Sequence, residues 1–149
     1  MRRMHRIMEC GDPPRVLVVE DELALARLYV RALVAAGYRV EHAPDATDAL
    51  RRLRGGSVDL VLSDVCMPGM SGLDLLNEIR GKWPDVPVIL VTAQLDADMY
   101  SRAREMGTVR YLLKPVALEK LANAVENGVK LRATLLRSQE RRARSSTSR

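Results

Sequence analysis

The stretch Leu60-Val61-Leu62-Ser63-Asp64-Val65-Cys66-Met67-Pro68-Gly69 sets a short apolar run against a carboxylate and then a Met-Pro-Gly turn. An apolar run of this length, bounded by turn residues, reads as a strand buried on both faces, the kind found in parallel sheets covered by helices. Asp64 then stands at the carboxyl end of that strand, the edge of an open α/β sheet where ligands bind. A second run, Val16-Leu17-Val18-Val19, closes in the same way on Glu20 and Asp21. Three acids at two strand ends can therefore converge on one spot and form a cation site.

Working outward, five β-rich runs alternate with helical patterns: Arg15 to Val19, Arg39 to Ala43, Leu60 to Ser63, Val88 to Val91 and Arg110 to Leu113. That alternation predicts a doubly wound parallel sheet with right-handed crossovers. Glu22 to Ala36 has Leu25, Leu28 and Leu33 at helical spacing and stops at Gly37; Asp45 to Arg54 stops at Gly55-Gly56. Ser71 is a cap for a helix to about Lys82 whose inner face is Leu73, Leu76 and Ile79, with Trp83 packing at its end before Pro84. Asp96 to Met106 is a weakly apolar helix ending at Gly107, with a face open to partner contact.

The last helix begins near Leu118 and carries Leu121, Val125, Val129, Leu131, Leu135 and Leu136. Taken to Arg144 it has roughly 27 residues, about twice the globular mean, so it projects beyond the domain. A heptad seam on Ala117, Leu121, Ala124, Gly128, Leu131 and Leu135 is poor because Gly128 sits on it. A solvated end is favoured over a homodimer through this helix, and Ser145 to Arg149 are expected to be disordered. The expected division is a flexible tail over 1–14, one domain over 15–129, and a helical extension and basic tail, or truncated linker, over 130–149.

The chain has 149 residues, is 47% apolar and lacks Phe, so one core is built from Leu, Val, Ile, Ala and Met. Its net charge of +5 divides into +2 over residues 1–15, −3 over 16–129 and +6 over 130–149. The domain is mildly acidic and only the tails are basic. No helix-turn-helix pattern or interleaved aromatic residues accompany the basic tail, so direct nucleic-acid binding is not expected. Cys10 and Cys66 are too few and too far apart for a disulfide framework or a zinc site. No run reaches the roughly 20 apolar residues of a membrane helix. The opening residues also lack the apolar centre of a signal peptide, so a cytoplasmic location is expected.

Chemistry concentrates at successive strand ends: Glu20 and Asp21, Asp64, Thr92 and Lys114. In the strand order 2-1-3-4-5 these side chains share one crevice at the topological switch point. Clustered carboxylates raise one another's pKa unless a cation neutralises them. Oxygen-only ligands with no His nearby in sequence point to Mg²⁺, with Mn²⁺ as the alternative. A carboxylate, a metal, a hydroxyl and an ammonium together describe phosphoryl transfer. Asp64 is then the nucleophile, Glu20 and Asp21 hold the metal with Asp64, Lys114 meets phosphoryl oxygens, and Thr92 hydrogen-bonds one of them. A Gly-x-x-x-x-Gly-Lys loop is absent, and a dehalogenase-type phosphatase wants an acid where Cys66 stands.

Val16 to Glu22, Ser63 to Gly72, Val88 to Ala93 and Tyr111-Leu112-Leu113-Lys114-Pro115 resemble the receiver domain of bacterial two-component response regulators, the chemotaxis receiver included. The resemblance covers residues 15 to about 129 and implies a flavodoxin-like five-stranded sheet with five helices, the last extended. It implies that Asp64 accepts a phosphoryl group from a sensor histidine kinase or phosphotransfer protein. The backbone carbonyl of Cys66 is by resemblance a further metal ligand, and its thiol a bystander. Tyr111 matches the switch aromatic that turns inward when Thr92 moves toward the phosphoryl group. Thr108-Val109-Arg110 departs from the family pattern and alters the face of strand five and helices four and five.

The favoured function is thus a phosphorylation-driven signalling switch with Mg²⁺, acting on a downstream partner or output domain. It is not a classical enzyme, although it catalyses its own phosphorylation and slow aspartyl-phosphate hydrolysis. The alternatives are a receiver-fold interaction or oligomerisation module acting without phosphorylation, and the receiver fragment of a larger regulator.

Overall fold

The computed structural model describes residues 11–94 and 96–147. Cys10 and the rest of residues 1–10, with Ser148 and Arg149, lie outside them. Five strands alternate with five helices among the described residues: β1 (Arg15–Val19), α1 (Leu23–Ala35), β2 (Arg39–Ala43), α2 (Ala46–Arg54), β3 (Leu60–Asp64), α3 (Gly72–Lys82), β4 (Val88–Thr92), α4 (Ala97–Glu105), β5 (Arg110–Leu113) and α5 (Leu118–Thr147). All neighbouring strands pair in parallel, in the order β2-β1-β3-β4-β5. This is the flavodoxin-like doubly wound fold expected from the sequence.

Local sequence explains where the elements begin. Ser71 and Asp74 form a reciprocal capping box, each backbone N–H donating to the other's side chain at 3.2 Å. Asp45 accepts from Asp48 N at 2.8 Å, and Asp96 accepts from Asp98 N and Met99 N. Pro14, one residue before β1, accepts from Arg39 N at 3.0 Å.

Strand side chains alternate faces, and the alternation sorts the core into two layers. Val16, Val18, Leu60, Leu62, Ile89, Val91 and Leu112 pack against Tyr29 and Leu33 of α1 and Leu121 and Val125 of α5. Leu17, Val19, Val61, Val88 and Leu90 pack on the other face against α2, α3 and Ala103 of α4. Both β3 and β4 are buried along their whole length, as their unbroken apolar runs require.

Two helical readings are corrected by the structure. Leu28 is 46% exposed, because the inner stripe of α1 runs through Ala26, Tyr29 and Leu33 and leaves Leu28 about 100° away. α5 continues to Thr147, past Arg144, so Ser145, Ser146 and Thr147 are helical where disorder was expected. The glycine that spoils a coiled-coil seam has another use: a Cβ on Gly128 would lie 2.4 Å from Leu60 Cδ1, so its bareness lets α5 press onto β3. Beyond that crossing, Arg132 clamps the helix to Asp59 Oδ1 at 2.6 Å and Asp85 Oδ2 at 3.3 Å.

Candidate functional site

The same alternation positions the site. Glu20 lies two residues beyond Val18, Asp64 two beyond Leu62, and Lys114 two beyond Leu112, so all three leave the sheet on the side covered by α1 and α5. They meet there: Lys114 Nζ is 3.0 Å from Asp64 Oδ2 and 3.1 Å from Glu20 Oε1. Glu20 and Asp64 are buried, whereas Asp21 is exposed. Carboxylate oxygens of Glu20, Asp21 and Asp64 lie within 4.8 Å of one another.

Burial is the largest influence on Glu20, and with the hydrogen bond and charge of Asp64 it pushes the carboxyl up to about 7; Lys114 pulls the other way. For Lys114, burial disfavours the ammonium, but Asp64 and Glu20 together outweigh it and raise its pKa. The ammonium thus holds two buried acids together.

Thr92 and Tyr111 occupy the opposite face. Thr92 follows Val88 and Leu90 in its row, and Tyr111 is registered beside Leu90. The Thr92 hydroxyl donates to Gln94 O and accepts from Gln94 N, both at 3.3 Å. The Tyr111 ring points inward, edge-on to Tyr100 at 5.4 Å between centroids. Among the described residues its buried hydroxyl has no well-formed hydrogen bond, and burial raises its pKa, opposed by the nearby Thr92 side chain.

Cys66 donates its backbone N–H to Asp64 Oδ1 at 3.3 Å, while its side chain is exposed. Sequence reasoning missed three contributors. A Cβ on Gly72 would stand 2.2 Å from the carbonyl oxygen of Asp64, so only glycine lets α3 start against the end of β3. A glycine directly after a capping serine was the available signal. His42 Nε2 hydrogen-bonds Glu20 O at 2.8 Å, and the buried Tyr29 phenol feels the charges of Lys114, Glu20 and Asp64. Neither belongs to a strand-end motif. The departure at 108–110 resolves locally: Thr108 Oγ1 donates to Val88 O at 2.9 Å, and Arg110 lines a cavity of about 410 Å³ with Tyr100, Arg104, Tyr111 and Lys120.

Residues 16–126 match the family described as the response regulator receiver domain. The chain belongs to the response regulator receiver family. This receiver is 35% identical over 128 residues to the probable transcriptional regulatory protein TcrX of Mycobacterium tuberculosis, covering 86% of the chain and 52% of TcrX. It is 35% identical over 114 residues to the DNA-binding transcriptional regulator NtrC of Escherichia coli, covering 76% of the chain and 24% of NtrC. The receiver therefore spans about half, or less, of the length of these curated relatives. Among solved structures, a receiver domain protein from Clostridium thermocellum superposes with a TM-score of 0.77 at 34% identity, covering 83% of this chain and 98% of that one.

Receiver domains typically bind Mg²⁺ at an acidic pocket. The residues here fit such an ion: every side-chain donor is a carboxylate oxygen, and buried Glu20 Oε2 has no hydrogen-bond partner among the described residues. No helix among the described residues is long and apolar enough to cross a membrane.

Proposed function

We propose that this receiver is a phosphorylation-activated switch in which Asp64 accepts a phosphoryl group from a histidine kinase or phosphotransfer protein. The observation that carries this reading is the Lys114 ammonium paired at once to Asp64 and to Glu20, whose second oxygen lacks a partner among the described residues. A structural ion pair needs one carboxylate; a site for a cation and a phosphoryl group needs two acids and an ammonium.

In the transfer, an Asp64 carboxylate oxygen bonds to phosphorus as the phosphorus–nitrogen bond of the phosphohistidine breaks, and the imidazole keeps the electron pair. Glu20, Asp21, Asp64 and the backbone carbonyl of Cys66 are the proposed metal ligands. A bound divalent cation, Mg²⁺ in this reading, neutralises charge on the phosphoryl oxygens. Lys114 exchanges its contact with Asp64 Oδ2 for a phosphoryl oxygen, which brings about −1.5 to −2 of charge. Thr92 leaves the Gln94 backbone to hydrogen-bond another oxygen, and Tyr111 follows it on the same face of the sheet. Water attack on phosphorus later regenerates Asp64, the slow self-catalysed hydrolysis of such a switch.

The output is a change in the face built from α4, β5 and α5, read by a downstream protein or output domain. Its kinase and target are cytoplasmic partners in this reading. The test is incubation with Mg²⁺ and acetyl phosphate followed by intact-mass measurement. The reading expects a gain of one phosphoryl group that disappears in Asp64→Asn and with excess chelator. No modification by acetyl phosphate or a panel of kinases would overturn it.

A further inference from the structure

The run Thr108-Val109-Arg110, which departs from the family pattern, lines a cavity that the phosphoryl site does not use. About 410 Å³ of space lies along residues 108–112, flanked by Tyr100 and Arg104 of α4 and by Lys120 of α5. β5 is an edge strand of the sheet. It pairs with β4 alone, so among the described residues the backbone N–H and C=O groups of its other side have no strand partner.

Three cations, Arg104, Arg110 and Lys120, line the same cavity. All are exposed, and among the described residues none has a carboxylate partner, although Glu105 and Glu119 are next to two of them in sequence. By contrast, exposed Lys82 and Lys130 pair with Glu78 and Glu126 on their own helices. Strand alternation places the three on both sides of the sheet edge. Arg110 shares the row of Leu112, on the face covered by α1 and α5, where Lys120 belongs; Arg104 and Tyr100 come from α4 on the other face, beside Tyr111.

An extended segment added to this edge alternates its side chains over the same two faces. Adjacent acidic residues then each meet a cation, while main-chain hydrogen bonds continue the sheet. Other occupants fit less well. The chain's own tails are basic, and β5 of a second copy would set like charges against one another. A nucleic acid offers phosphates to the cations but no ladder to the edge.

We propose that the edge of β5 takes up an extended acidic segment of a partner protein by strand addition, with Arg104, Arg110 and Lys120 as its charge contacts. This names the partner chemistry of the output face put forward above and rests on that reading.

The test is fluorescence anisotropy of a labelled peptide of about 12 residues, Val and Thr interrupted by adjacent Glu pairs, titrated with the unmodified full chain at low salt. R104Q/R110Q/K120Q should weaken binding about tenfold or more, and R104K/R110K/K120R should retain it. Two further peptides, N-methylated at alternate backbone nitrogens of one edge or the other, keep the charge; the one whose ladder edge is blocked should lose binding. No binding of the parent peptide, parent-like binding of both N-methylated peptides, or unchanged binding by the Gln variant would each overturn the proposal. So would equal affinity for a single-stranded oligonucleotide of the same charge. Peptide binding by Asp64→Asn, together with a parent affinity that acetyl phosphate does not alter, would sustain strand addition while overturning the phosphorylation reading.

Discussion

Lys114 Nζ stands 3.0 Å from Asp64 Oδ2 although 50 residues separate them, and the same nitrogen reaches Glu20, 94 residues away, at 3.1 Å. One ammonium therefore ties together the ends of β1, β3 and β5. Removing it leaves two buried carboxylates facing each other. Lys114→Met is expected to slow phosphorylation by acetyl phosphate about 10- to 100-fold, the loss of one charge-assisted hydrogen bond. Mass spectrometry of timed samples measures it, and an unchanged rate would remove Lys114 from the transfer.

Glu20 supplies a pH dependence. Its carboxyl is raised from 4.5 to about 7, chiefly by burial, so between those values the folded protein binds more protons than the unfolded chain. Stability from this group is therefore full below pH 4.5 and lost as pH rises through about 7. A bound Mg²⁺ offsets that loss. Thermal melts with Mg²⁺ and with chelator should differ more near pH 8 than near pH 5.5; equal differences would contradict the assignment.

Gly72 governs the approach of α3 to the phosphoacceptor strand. Gly72→Ala puts a methyl group 2.2 Å from Asp64 O and 2.8 Å from Val65 Cα, both backbone atoms that cannot rotate away. The expected cost is about 2–3 kcal/mol by denaturant melts, together with impaired phosphorylation. A variant as stable as the parent would show that α3 can slide without disturbing Asp64.

Among the described residues the buried hydroxyl of Tyr111 has no well-formed hydrogen bond. Tyr111→Phe removes a desolvated polar group and keeps the ring against Tyr100, so stability should hold or rise by up to about 1 kcal/mol. A clear loss in the melting curve would mean that the hydroxyl has a partner in solution.

Arg132 joins α5 to the loops before β3 and β4, and Asp59 also accepts from Arg15 N at 2.7 Å. Arg132→Ala should raise amide exchange along the far half of α5 and lower domain stability by about 1–2 kcal/mol. Exchange confined to its present pattern would show that the Gly128 crossing alone anchors the helix.

Much of the architecture was legible because its signals are local. Unbroken apolar runs marked β3 and β4, Ser71, Asp45 and Asp96 marked helix starts, and acids at strand ends marked the crevice. Glu20, Asp21, Asp64 and Lys114 come together as strand order and strand ends predict, whereas Thr92, expected in the same crevice, leaves the sheet on the other face. His42, Tyr29 and Gly72 were not found, since each acts through a backbone atom or an electrostatic field of a distant residue.

By itself, then, the sequence determined the alternation of elements, the caps and the inventory of reactive groups, all properties read within a turn or a strand. Only tertiary structure decided that Leu28 faces solvent, that Gly128 seats α5 on Leu60, and that Glu20, Asp64 and Lys114 share one face while Thr92 and Tyr111 share the other. The reason is physical. Periodicity tells which residues of an element lie together, but which neighbour covers them depends on register and close packing between segments far apart in the chain.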